Sequence, residues 1–289
     1  MTHAASPFSQ APALAQALAL PASAYVGQRI AKTLLIEQIA NLPGTTPSDK
    51  RLANDLLAEL HWLAALKPAT CGLAAWQTGT HDYLEIAVLH AVLRDGAATS
   101  TLRSGTQLTR LIELIHRTIP YPVVLIVSQP NVDGAAEHIS LAHKRLSLGT
   151  GSAMVLEHTA TTQPITTKSI AACARKTRAA AQFAHYLAFN RAPGLPPLQF
   201  NDLHTRYSDW LHAIEALAAA EHTGQFKVSA TAPDAAQRRS ALQAYDQLGQ
   251  QLASLRAQAR KESQLAQRAA LNLKIAQRMA ERQALLGGL

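Results

Sequence analysis

Histidines, two acids on a β-rich stretch, and clusters of arginine and lysine are the residues here that could do chemistry. The chain holds twelve histidines, and His90, His116, His138 and His143 fall in one β-rich region. No carboxylate stands at ligand spacing beside them, so they read as hydrogen-bonded structural residues rather than a metal site. Glu85 lies on an expected strand with Asp82 upstream. Such acids hold Mg²⁺ and activate water in metal-dependent nucleases. The lysine that should follow at Glu-x-Lys is replaced by Ala87, so a nuclease-like enzyme using Glu85 and His90 is the alternative reading.

Other catalytic patterns are missing. Gly149, Thr150 and Gly151 lack the following Lys-Ser/Thr and a third glycine, so they make no nucleotide loop. Cys71 and Cys173 have no Cys-x-x-Cys partner, which argues against structural zinc. Two cysteines are too few for a disulfide scaffold and suit a reduced cytoplasmic setting. No serine sits in a Gly-x-Ser-x-Gly elbow. No catalytic residue, metal ligand or cofactor is assigned.

Positive charge is the stronger signal. Lys and Arg number 27 against 19 Asp and Glu, a net charge of +8. The candidate phosphate-binding residues are Arg29 and Lys32, Arg117, Lys144 and Arg145, Arg175 and Lys176, and Arg260 and Lys261. Residues 233–289 hold nine Lys/Arg against four Asp/Glu, so most of the surplus sits in the last fifth. Converging cations would attract a nucleic-acid backbone without reading its bases. Arg117, Lys144 and Arg145 are expected to share one patch, because both of their segments end beside the same sheet.

These residues need elements to hold them. Apolar residues make up 48% and aromatics 5%, so the core is aliphatic. Residues 1–19 read as a mobile tail without the basic n-region of a signal peptide. No apolar window spans a bilayer, so no membrane contact is expected. Periodicity predicts helices over 29–42 and 49–66, the latter from Leu52, Leu56, Leu57, Leu60 and Leu63. Ser48 is the expected N-cap, with no capping box. Strands are expected over 81–93, 123–127, 138–143 and 153–157, with a helix over 106–118. The expected class is α+β or α/β: a mixed sheet domain with flanking helices over 20–160. A helical connecting region, 161–232, follows. A long basic helix, 233–289, ends the chain, its 3-4 seam running from Tyr245 through Leu252 and Ala259 to Ala266, Ala269, Leu273 and Ala276. That seam favours a coiled coil or a helical hairpin, broken at Glu262, and a homo-oligomer through this helix is one outcome.

Five blocks in order resemble a bacterial family of unknown function, number 4391. They run from Val26 to Lys32, from Ala65 to Thr70, from Tyr83 to Ile86, from Ile115 to Arg145, and from Arg260 to Ile275. Ala31 and Gly27 depart from its opening, where Pro and Asn are common. The resemblance implies a gene context beside helicase-type ATPases and DNA methyltransferases in defence-like clusters. The expectation is a non-enzymatic accessory subunit of an anti-phage or restriction-like complex, contacting such a partner and DNA phosphates.

Overall fold

The computed structural model describes residues 7–94, 103–129, 136–147, 154–166, 175–189 and 201–289, without the side chains of 103, 104 and 175–177. Contacts divide the chain into two compact units, Met1–Ile214 and Glu215–Leu289.

The first unit is built on a seven-stranded mixed sheet. Its strands are β1 (Tyr25–Ile30), β2 (Leu57–Leu66), β5 (Ile86–Leu93), β6 (Val123–Gln129), β7 (Ala136–Leu146) and β8 (Met154–Thr161), in that spatial order, with β9 (Ile165–Thr166) also on β7. β5 and β6 are parallel; every other pair in this sheet is antiparallel. A parallel pair needs a crossover, and α5 (Arg103–Thr118) supplies it. A small hairpin, β3 (Trp76–Gln77) with β4 (Asp82–Tyr83), stands apart. α4 (Pro68–Cys71) precedes it.

Helices cover both faces. Leu35, Ile36 and Ile39 of α2 (Lys32–Ala40), Ala53 of α3 (Pro47–Leu56), and Leu108, Leu111, Ile112 and Ile115 of α5 pack on Leu57, Leu89, Leu93, Leu125 and Val127. α5 behaves as its periodicity predicts, and β6 is buried on both sides from Val123 to Val127. Pro47 opens α3, and Thr46 donates its N–H to Asp49 Oδ2 at 2.9 Å. The cap is therefore Thr46 with Asp49, not Ser48. Arg110 of α5 grips the same carboxylate through Nε and Nη2, at 2.8 and 3.0 Å, and holds it well below the usual carboxylate range.

On the other face, α7 (Leu203–Thr223) sends Tyr207 between β6 and β7 where they part. Its hydroxyl donates to Val123 O (2.8 Å) and accepts from Ala142 N–H (2.8 Å). Tyr207 thus replaces one rung of the ladder at a fully buried position. Tyr207→Phe strands that N–H and is expected to cost about 2 kcal/mol in urea unfolding; a loss within error would show that the rung is dispensable. α6 (Arg175–Leu187) packs on α7 through Tyr186 and Asp209 (2.6 Å) and through Trp210 Nε1 on Leu187 O (2.9 Å).

Two sequence expectations change here. Residues 7–19 are not a free tail. Phe8, Leu14, Ala15 and Leu18 are buried, and Glu137 of β7 accepts the N–H groups of Ala13 and Leu14 at the start of α1 (Ala13–Ala17). Also, the helix expected over 49–66 ends at Leu56, and the rest is β2. β2 carries register shifts between Leu57 and Glu59 and between Trp62 and Ala64. Such irregularities reset the two-residue alternation. They leave Leu57, Leu60 and Leu63 inward at three-residue steps that imitate a helix. β1 escaped notice because it is an exposed edge strand with no apolar alternation.

The second unit contains α8 (Ala232–Lys261) and α9 (Leu265–Ala284), antiparallel around a turn at 262–264. The single long helix therefore resolves as a hairpin. Thr231 caps α8 by accepting Asp234 N–H, and Glu262 Oε1 accepts Gln264 N–H inside the turn. Arg282 stacks over Tyr245, 3.9 Å from the ring centroid, and lies 3.4 Å from where a Cβ on Gly249 would stand. Arg239 pairs with the buried Glu215 at 2.7 Å.

Candidate nucleic-acid interface

The sheet unit engages most of the cations nominated from the sequence, with carboxylates or with backbone carbonyls. Arg29 of β1, though exposed, meets Glu59 at 3.1 Å. Lys32 donates to the carbonyls of Asn54 and Leu57 at the end of α3, at 2.6 and 2.5 Å. Arg29 and Lys32 do share one shallow concavity of about 350 Å³, together with Glu59. Arg117 donates to Pro43 O at 2.6 Å and faces Glu113 at 3.7 Å. Arg145 pairs with Glu157 at 3.2 Å. Arg175 and Lys176 open α6, and their side chains lie outside the described residues.

Lys144 requires a correction. It is 2% exposed, and its Nζ donates to Ile119 O and Tyr121 O at 2.8 and 2.6 Å. Burial pushes its pKa down to about 7. A phosphate cannot reach it, so the expected patch of Arg117, Lys144 and Arg145 does not form. Strand alternation explains this: on β7, Ser140, Ala142 and Lys144 share the face toward α5, where His116 Nε2 meets Ser140 Oγ at 3.1 Å. His143 and Arg145 point the other way.

The Glu85–His90 pair is not assembled either. Glu85 pairs with Lys67 at 3.0 Å. His90 lies five residues on, about 16 Å along an extended chain and on the opposite face. Among the described residues, no three His, Cys, Asp or Glu side chains are placed to hold a metal ion. His90 instead joins a polar row that sequence reading missed. Glu59 meets His61 Nε2 at 2.8 Å, His61 and His90 stack at 6.1 Å, and His90 Nε2 meets Ser128 Oγ at 2.9 Å. Burial first, then the neighbouring His61, lowers the His90 pKa to about 4, so the ring is neutral at pH 7. Glu59 bonds His61, not His90, so no relay runs from the carboxylate to the serine. A second cluster joins Tyr83 to His143 by a hydrogen bond and stacks Trp76 on His204 at 4.0 Å. Its signal was Tyr83 next to the strand, read only as an alternating residue.

The hairpin differs. Arg260 and Lys261 end α8, exposed, and Arg256 precedes them by one turn. Arg268 and Lys274 stand exposed on α9. None of the five has a carboxylate within ion-pair distance among the described residues. Lys261 and Lys274 line one open groove of about 540 Å³ with Gln258, Glu262 and Gln267. The remaining hairpin arginines are engaged: Arg278 with Glu281 (2.6 Å), Arg238 with Leu289 O (2.9 Å), Arg239 with Glu215 and Arg282 with Tyr245.

Fold and charge layout define a mixed α+β protein that carries a cationic helical hairpin. The model of the family described as Domain of unknown function (DUF4391) matches residues 18–281, and the chain belongs to that family. No curated protein and no solved structure matches it. Among the described residues, no helix is long and apolar enough to cross a membrane.

Proposed function

We propose that this protein is a nucleic-acid-binding accessory subunit of a bacterial DNA-processing or anti-phage complex. It holds the phosphate backbone on its C-terminal hairpin and works beside a helicase-type ATPase or a DNA methyltransferase. One observation carries the phosphate reading: Arg256, Arg260, Lys261, Arg268 and Lys274 stand near the hairpin turn without carboxylate partners among the described residues. Cations already given to a carboxylate gain little from a phosphate, whereas free ones release the counterions of DNA. The residue types suit backbone contact and supply no base-reading pattern.

The test is fluorescence anisotropy of the full chain with a labelled duplex over a salt series. With up to five cations engaged, the slope of log Kobs against log salt should approach about −4.5, at about −0.9 per phosphate neutralised. Salt-independent binding, or none at low salt, would refute the reading. The partner is tested by co-purification from the native host after nuclease treatment. An ATPase or methyltransferase that survives is expected, and its loss with the nucleic acid would overturn a direct contact.

A further inference from the structure

The turn between α8 and α9 presents a serine. Ser263 is exposed, and the residues on either side of it, Glu262 and Gln264, are extended, with ψ of 123° and 119°. The second unit holds six serine and threonine residues: Thr223, Ser229, Thr231, Ser240, Ser254 and Ser263. Five of these hydroxyls are engaged. Thr223 donates to Ala219 O at 3.0 Å and Ser240 to Ala236 O at 3.1 Å. Ser229 accepts from Arg238, Thr231 from Asp234 N–H, and Ser254 from Gln258. Among the described residues, no hydrogen bond holds the Ser263 hydroxyl. Arg260 stands three residues before it and Lys261 two, both exposed. Glu262, the acid between them, is turned to Gln264 N–H through Oε1 at 2.8 Å. α9 begins two residues after Ser263, and its first turn has no side-chain cap.

We propose that Ser263 is a phosphorylation site, modified by a protein kinase that reads arginine upstream of serine, and that its phosphate closes the hairpin to nucleic acid. An exposed, extended segment with an unengaged hydroxyl enters a kinase cleft as it stands. Ser240 also follows two arginines, but it lies inside α8 with its hydroxyl on Ala236 O. The γ-phosphoryl group of a nucleoside triphosphate passes to Ser263 Oγ. The Oγ–P bond forms, and the bond from the γ-phosphorus to the bridging oxygen breaks. The hydroxyl proton goes to the kinase's carboxylate, and the nucleoside diphosphate leaves. The product carries a charge of about −1.5 to −2 at pH 7. Tethered within three residues of Arg260 and Lys261, it meets them at an effective concentration of about millimolar, which a dilute duplex does not match. The start of α9 favours the same negative charge. This inference deepens the phosphate reading and rests on it: the cations that hold a duplex phosphate are occupied by one in the chain itself.

The test has two arms. In the first, the full chain is purified from its native host, cut with trypsin and read by mass spectrometry. Cleavage after Lys261 and Arg268 releases the peptide Glu262–Arg268, which is expected to carry one phosphate on Ser263. Recovery of that peptide only in its unmodified form would overturn the proposal. In the second, the full chain is treated with a purified arginine-directed serine kinase and Mg·ATP, then titrated with a labelled duplex. Modification should weaken binding tenfold or more at about 0.1 M salt and move the salt slope toward zero by about 2, two contacts being lost. Ser263→Ala should bind the duplex as the wild type does and keep that affinity after kinase treatment. A loss of affinity in Ser263→Ala on treatment would place the switch at another hydroxyl and overturn the assignment. Equal binding by the modified and unmodified wild type would overturn the regulation alone. Absence of binding by the unmodified chain would refute the phosphate reading, and this inference with it.

Discussion

Replacing Arg260 and Lys261 together by glutamate is expected to weaken duplex binding about 100-fold at moderate salt. Two attractive charges become two repulsive ones at the end of α8, beside the groove where Lys261 and Lys274 stand. A hundredfold is about 2.7 kcal/mol, a modest contribution for four units of charge in water. The salt slope should move toward zero by about 2, since two phosphate contacts vanish and two repulsions appear. Both side chains are exposed and donate no hydrogen bond among the described residues, so the thermal midpoint should hold. The control is Arg145→Gln. That guanidinium already faces Glu157 at 3.2 Å. Its loss should change binding by less than about threefold, as for a surface pair worth little. If Arg145→Gln cost as much as the double reversal, the phosphate surface would lie on the sheet unit instead. Anisotropy titrations at three salt concentrations separate the two outcomes.

The contrast between these variants shows how far the sequence could be read. Net charge and its pooling after residue 233 were visible, because they need only counting. Which cations stay free was not, because Glu59 and Glu157 reach their arginines through strand pairing, between residues far apart in the chain; the Glu113–Arg117 pair, one turn apart on α5, is the local exception. The central elements were legible where the apolar period was clean, as in α5, β6 and β7. β2 was not, because its two register shifts turn a period of two into a false period of three. The N-terminal segment was misread because the carboxylate that caps α1, Glu137, lies more than a hundred residues away. The hairpin was half legible: Glu262 marked the break, but the rotation that turns Leu273 outward on α9 depends on which side meets α8.

The same strand logic yields the second large effect. Wild-type stability is expected to rise by about 3 kcal/mol between pH 7 and pH 10, relative to Lys144→Met. Folding takes Lys144 from water, where its pKa is 10.5, to a buried site where it is about 7. Above pH 7 the folded chain therefore holds fewer protons than the unfolded chain, so stability climbs with pH until the unfolded lysine also titrates near 10.5. The geometry suits the neutral form. A neutral amine has two N–H groups, and the carbonyls of Ile119 and Tyr121 accept two. His116, facing it from α5, is held well below its ordinary pKa by burial first and by Lys144 next, so it adds no proton change above pH 7. At pH 7 the methionine variant should itself lose about 1–2 kcal/mol, because both carbonyls lose their donor. The informative quantity is the difference in slope, in which groups common to both proteins cancel. Urea unfolding at pH 7, 8, 9 and 10 measures it. Parallel curves for the two proteins would mean that the folded lysine stays charged, with its carbonyl bonds rather than its burial setting its affinity for the proton.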